Sequence, residues 1–220
     1  MSKFVVIDGL DGSGKGSVTR MLREYLSKRG VENDLISFPM YSCESSSLVK
    51  LYLSGALGQK PEDNNAYAAS MLFSADRYVS YKEVWGRLYE KPDSVLIADR
   101  YTSANAVHQL TKLPEDEWDR FLWWLYDFEY RKLGLPVPDH TVYIEMPPAI
   151  CRRLIAKRAA ETGRMIDIHE KDESHLDRAY RCALYAADKL GFDRIVGYRE
   201  EEPRPLEEIL EDLLEITGLK

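Results

Sequence analysis

The feature that most constrains this chain lies at its start, where an apolar, β-branched run from Lys3 to Asp8 breaks into Gly9, Gly12, Gly14 and Gly16. Apolar residues then resume at helical spacing as Val18, Met21, Leu22, Tyr25 and Leu26. This pattern reads as strand, glycine loop and helix. Gly9 to Lys15 spells G-x-x-x-x-G-K, a loop whose backbone N–H groups and following helix N-terminus face an anion while the lysine reaches β- and γ-phosphate oxygens. Glycine is required because a side chain would block the approach of the phosphates. Gly9, Leu10, Asp11, Gly12, Ser13, Gly14, Lys15, Gly16 and Ser17 are therefore the candidate contacts for a nucleoside triphosphate.

Four further runs end at turn or charged residues and read as buried strands: Asp34 to Phe38, Ser94 to Asp99, His140 to Glu145 and Arg194 to Gly197. Helical patterns lie between them, over 45–54, 63–89, 114–132, 148–158, 171–189 and 205–217. Strands alternating with helices call for a parallel sheet covered on both faces. No linker, repeat or boundary interrupts the 220 residues, so a single domain over 1–220 is expected; Arg199 to Pro205 reads as a solvated loop leading into the last helix. With 30 basic and 37 acidic residues the net charge is −7, which disfavours a nucleic-acid polymer or an anionic membrane as partner and requires a local basic site for any polyanion. Cys43, Cys151 and Cys182 have no metal-site spacing, and the start of the chain lacks a cleavable leader pattern. The expectation is a soluble protein of a reducing cytoplasm.

Asp99-Arg100-Tyr101 falls at the carboxyl end of a predicted strand, the edge where open α/β sheets bind ligands. Its continuation to Gln109 (DRYTSANAVHQ) resembles the D-R-Y/H-x-x-S-x-x-A-Y-Q segment of thymidylate kinases, with the serine shifted by one position and Val107-His108 differing near the end. Ile7 to Lys15, Phe38-Pro39, Leu72 to Arg77 (LFSADR) and Asp167 to Glu170 (DIHE) are similar to other segments of that family, in the same order. The resemblance implies a P-loop NTPase fold: three-layer α/β, about five parallel strands with helices on both faces, and a short mobile lid at about 152–170. It also implies transfer of the γ-phosphoryl of ATP to dTMP with Mg²⁺, by a cytoplasmic homodimer. Carried over by position, Phe73 stacks on the pyrimidine and Arg77 bonds its edge, while Asp11 meets the acceptor sugar. Arg100 grips the acceptor phosphate, Asp99 organises Mg²⁺ partly through water, Ser103 and Gln109 line the pocket, and Tyr101 lies beside the sugar 2′-position.

Two departures bear on the chemistry. Gly16 stands where the strict loop carries a metal-binding hydroxyl, although a Gly-Lys-Gly-(Ser/Thr) loop resembles that of adenylate kinases. After Pro39, Met40 to Glu44 contains no arginine for the acceptor phosphate; Ser45, Ser46 and Ser47 either cap a helix or supply donors there. Transition-state charge needs a mobile cation. The glycine loop holds no arginine, so the basic stretch Arg152 to Arg164 is expected to supply it, with Arg158 and Arg164 as candidates and Arg152 and Arg153 as structural or adenine-side residues. His108, His140, His169 and His175 share no metal spacing and are read as bystanders. The aromatic helix containing Trp118, Trp123 and Trp124 serves either the core or a dimer face. Another nucleoside monophosphate kinase (UMP, CMP or AMP) and a nucleotide-binding regulatory protein on a degenerate kinase fold remain as alternatives.

Overall fold

The computed structural model describes residues 1–58, 63–162 and 173–220. The five predicted strands form as β1 (Lys3–Gly9), β2 (Asn33–Ser37), β3 (Val95–Asp99), β4 (His140–Glu145) and β5 (Asp193–Val196). They make one parallel sheet in the order β2-β3-β1-β4-β5. The helices are α1 (Lys15–Lys28), α2 (Ser47–Leu53), α3 (Ala66–Ser80), α4 (Gly86–Tyr89), α5 (Thr102–Gln109), α6 (Trp118–Tyr126), α7 (Pro148–Thr162), α8 (Glu173–Leu190) and α9 (Leu206–Thr217).

Side chains alternate across a strand, so a sheet buried on both faces needs apolar residues at every position. The centre of β1 meets this from Phe4 to Ile7: Val5 and Ile7 pack with α1 and α9 on one face, whereas Phe4 and Val6 pack with Trp85 and Tyr101 on the other. α5, α6, α7 and α8 extend the second layer around Leu10 and Tyr143. The result is the three-layer α/β arrangement expected from the sequence. Parallel register brings the carboxyl ends of β1 and β3 side by side, with Ile7 opposite Asp99.

Three local differences have physical causes. The predicted helix 63–89 is divided by a π turn at Tyr81–Trp85, and 114–132 ends in another at Asp127–Lys132. α5 shows little apolar patterning in sequence because, beside Ala106 and Val107, its buried positions include Thr102, Ser103 and Asn105, which bond to Glu129, Asp8 and Ser70 O. The stretch after β5 forms a small hairpin, Tyr198–Arg199 with Glu202–Pro203, where a plain loop was expected. Among the described residues, no helix is long and apolar enough to cross a membrane.

The second layer is tied together by Glu129, which is wholly buried in the π turn after α6. Its carboxylate accepts from Arg77 Nε at 2.7 Å and from Arg77 Nη2, and also from Ser74 Oγ, Thr102 Oγ1 and Asn105 Nδ2. One carboxylate thus joins α3, α5 and the end of α6. A buried ion pair adds little over an apolar replacement, but removing one partner leaves the other charge stranded. Glu129→Ala is therefore expected to lower unfolding stability by about 3–5 kcal/mol, measured by urea denaturation. A loss under 1 kcal/mol would show that the network does not hold the layer.

Candidate active site

The glycine loop is shaped by backbone geometry before any ligand is considered. Gly12 and Gly14 adopt φ of 84° and 87°, a region that L-residues enter only with strain. A Cβ on Gly12 would lie 2.6 Å from the Cys151 carbonyl oxygen, so α7 abuts the loop through bare backbone. Leu10 is fully buried in the core, which anchors the loop and leaves its backbone, not its side chain, for a phosphate. Lys15 opens α1 and points its Nζ at Asp11 Oδ1, 3.3 Å away.

Arg100 follows β3 directly and holds φ at 68°, the left-handed region. Such strain is typical of positions where function dictates the backbone. Its N–H donates to Ile7 O at 3.1 Å, and its guanidinium reaches the loop: Nη2 to Asp11 Oδ1 at 2.8 Å, with Nη1 3.7 Å from Asp8 Oδ1. Lys15, Asp11 and Arg100 form one hydrogen-bonded array. Against the penalty of burial, the two cations hold the Asp11 carboxyl far below its ordinary range. Burial pushes the neighbouring Asp99 carboxyl up, and its buried Oδ1 has no hydrogen-bond partner.

A cavity of about 310 Å³ opens beside this array, within the range of small-molecule sites. Asp11, Phe73, Arg77, Arg100, Tyr101 and Gln109 line it, so six of the predicted residues converge there. Phe73 is half-buried, stands edge-on to Tyr52 with ring centroids 5.9 Å apart, and presents an aromatic wall. Arg77 commits Nε and Nη2 to Glu129, leaving Nη1, which reaches Tyr101 O at 3.5 Å. The Tyr101 hydroxyl donates to Pro136 O, outside the cavity lining, and its ring packs against Phe4, Phe38 and Trp85. Ser103 is not among the lining residues: its hydroxyl donates to Asp8 Oδ2 at 2.7 Å and fixes the acid that precedes the loop.

The serine run does not cap α2 with its side chains. Ser45 Oγ donates to Asp76 Oδ1 at 2.6 Å, whose Oδ2 accepts from Met40 N, while Ser46 and Ser47 donate to Cys43 O and Glu44 O. Arg152 and Arg153 pair with Asp177 and Glu202 at the surface. Arg158 is exposed on α7; Arg164, lid residues 163–170 and the Asp167 to Glu170 segment lie outside the described residues. Trp118 is buried in the core and Trp123 is exposed.

Sequence reasoning passed over His108 and His175, which line the cavity as a parallel pair with centroids 5.8 Å apart. His108 Nε2 lies 2.7 Å from Arg100 Nη1. The available signal was the Val107-His108 departure within the Asp99 to Gln109 segment. Asn105 and Lys112 also line the cavity; neither sits at a motif position that marks it in advance.

A phosphate-cradling loop on a parallel sheet, joined by an arginine to a second ligand cavity, defines a P-loop nucleotide-dependent phosphotransferase architecture. The family model described as thymidylate kinase matches residues 7–196. A thymidylate kinase of Mycobacterium tuberculosis is 28% identical over 187 residues, covering 83% of this chain and 84% of that protein. A probable thymidylate kinase of Staphylothermus marinus is 27% identical over 94% of this chain and 96% of its own length, and a Homo sapiens thymidylate kinase is 29% identical over 81% and 74%. The chain belongs to the thymidylate kinase family.

Gly16 sits in the first turn of α1, is exposed, and an added Cβ would meet nothing within 4 Å. Gly16→Ser is therefore expected to raise stability by about 0.5 kcal/mol by removing backbone freedom from the unfolded chain, checked by thermal or urea unfolding. A destabilised variant would mean that this turn requires glycine after all.

Proposed function

We propose that this protein transfers the γ-phosphoryl group of ATP to the 5′-phosphate of dTMP, giving dTDP and ADP. The observation that carries this reading is the array from Lys15 through Asp11 to Arg100, which joins the phosphate loop to a cavity walled by Phe73. The loop amides and Lys15 hold the donor phosphates. Arg100, a planar fork of fixed charge, grips the acceptor phosphate, and Asp11 lies beside its sugar. Phe73 stacks on the pyrimidine; Arg77, aimed by Glu129, offers Nη1 to its edge. Gln109 is buried with Oε1 lacking a partner, which suits an acceptor for a ligand N–H. Tyr101 and Ser103 act from behind, as ring packing and through Asp8.

Asp99 fits a divalent cation, since its orphaned Oδ1 and upward-shifted carboxyl are both relieved by a positive charge. It would hold Mg²⁺ partly through water, because Gly16 contributes no hydroxyl. Bound Mg²⁺ supplies neutralisation of the β- and γ-phosphate oxygens. In-line transfer then depends on positioning and charge, and needs no covalent intermediate. Arg158 and Arg164 are the proposed lid cations, with the lid at about 152–170 of one domain. The active form is proposed to be a cytoplasmic homodimer that engages neither a nucleic-acid polymer nor a membrane.

The test is ADP formation from ATP and Mg²⁺ with dTMP, dUMP, UMP, CMP, AMP and GMP, against a control without acceptor. The expected result is a rate with dTMP well above the rest; turnover confined to a ribonucleotide, or to none, overturns the assignment. Arg100→Lys keeps the charge but loses the fork, and kcat/KM for dTMP is expected to fall by about 10²-fold or more. Steady-state kinetics with dTMP varied would reveal it, and a change below threefold would remove Arg100 from the acceptor site.

A further inference from the structure

Arg100 must attract an anion while surrounded by anions. Asp11 contacts Nη2, Asp8 stands 3.7 Å from Nη1, and Asp99 is the preceding residue. Lys15 is the other cation in the array, so three carboxylates face two positive charges before any phosphate arrives. A further acidic partner on Arg100 would weaken it as a phosphate receptor, yet a guanidinium left unsupported on that side would not hold one plane. His108 resolves this. Arginine donates hydrogen bonds and never accepts them, so the 2.7 Å contact makes Nε2 the acceptor and requires an unprotonated Nε2. Burial and the Arg100 charge hold the imidazole well below its ordinary pKa, with Asp11, Lys15 and His175 as the other ionisable groups facing it. The ring plane is fixed in turn: His108 stacks on His175 of α8 with only 9° between planes.

We propose that His108 is a positioning residue for the acceptor phosphate: its Nε2 lone pair fixes the Arg100 guanidinium toward the acceptor cavity without cancelling its charge. This rests on the phosphoryl-transfer reading above and adds to it a residue that the family motif does not supply, at the Val107-His108 departure. A neutral acceptor of a single hydrogen bond is the essential property, whereas the positive charge or basicity of histidine is not. Because the contact acts on the acceptor side of the array, it should govern acceptor binding and leave donor binding alone.

The experiment compares the full chain with His108→Leu and His108→Gln, measuring KM for dTMP, KM for ATP and kcat, with thermal melting of each protein. His108→Leu removes the acceptor at similar size, and KM for dTMP is expected to rise about tenfold or more, the scale for losing a hydrogen bond to a charged group, with KM for ATP within about twofold. His108→Gln presents an amide oxygen to Arg100 and should bring KM for dTMP back to within about threefold of the parent, which a merely space-filling role would not do. An unchanged KM for dTMP in His108→Leu, or equal losses in both variants at unchanged melting temperature, overturns the proposal. Should His108→Leu not fold, His108→Phe keeps a ring on His175 without the lone pair and answers the same question. A parent that ignores dTMP would refute the substrate reading separately, and the comparison then runs with whichever monophosphate it phosphorylates.

Discussion

A fully buried carboxylate sets the terms for half of this molecule. A carboxylate buried in this layer needs its oxygens saturated with donors, and the chain supplies them to Glu129 from two other helices. Arg77 and Ser74 come from α3, and Thr102 and Asn105 from α5. Phe73 and Arg77 of α3, and Ala104, Asn105, His108 and Gln109 of α5, line one part of the ligand space. The ion pair thus ties α3 to the turn after α6, and the Thr102 and Asn105 bonds bring α5 to the same carboxylate. Phe73 lies one turn from Arg77 on α3, beside this junction.

On the other side of the cavity, order comes from charge. Asp8 is satisfied by the Gly9 amide and the Ser103 hydroxyl, which keeps it from drawing Arg100 fully onto itself. The guanidinium is left between Asp11 and an imidazole, and the strained backbone at Arg100 places it there within one residue of the strand end. Acid–base pairing within the array keeps its members buried and in place. The result is a slightly negative local balance, with Asp8, Asp11 and Asp99 beside Lys15 and Arg100.

The sheet and the loop were legible because their signals are periodic or geometric. Buried parallel strands demand unbroken apolar runs, and a phosphate cradle demands glycine at fixed spacing, so β1 to β5 and Gly9 to Lys15 could be read directly. α5 was not read as a helix, since four of its buried residues, Thr102, Ser103, Asn105 and Gln109, are polar and leave only Ala106 and Val107 as an apolar signal. Glu129 was invisible for a related reason: nothing in sequence distinguishes a glutamate that collects five hydrogen bonds from one on a solvated face. Motif matching placed Ser103 and Tyr101 at the site but not their orientation, and both hydroxyls are engaged elsewhere. His108 was set aside by a search for metal spacing, because a residue that acts through Arg100 has no pattern of its own.

The contact between Gly12 and the Cys151 carbonyl has a mechanical consequence. A helix advances about 1.5 Å per residue, so Arg158 stands roughly 10 Å along α7 from the point where that helix bears on the loop. Loop and helix therefore share one backbone contact, and a side chain at Gly12 would have to displace α7 as well as reshape the cradle, so the cost of that substitution would be felt along the helix and not in the loop alone.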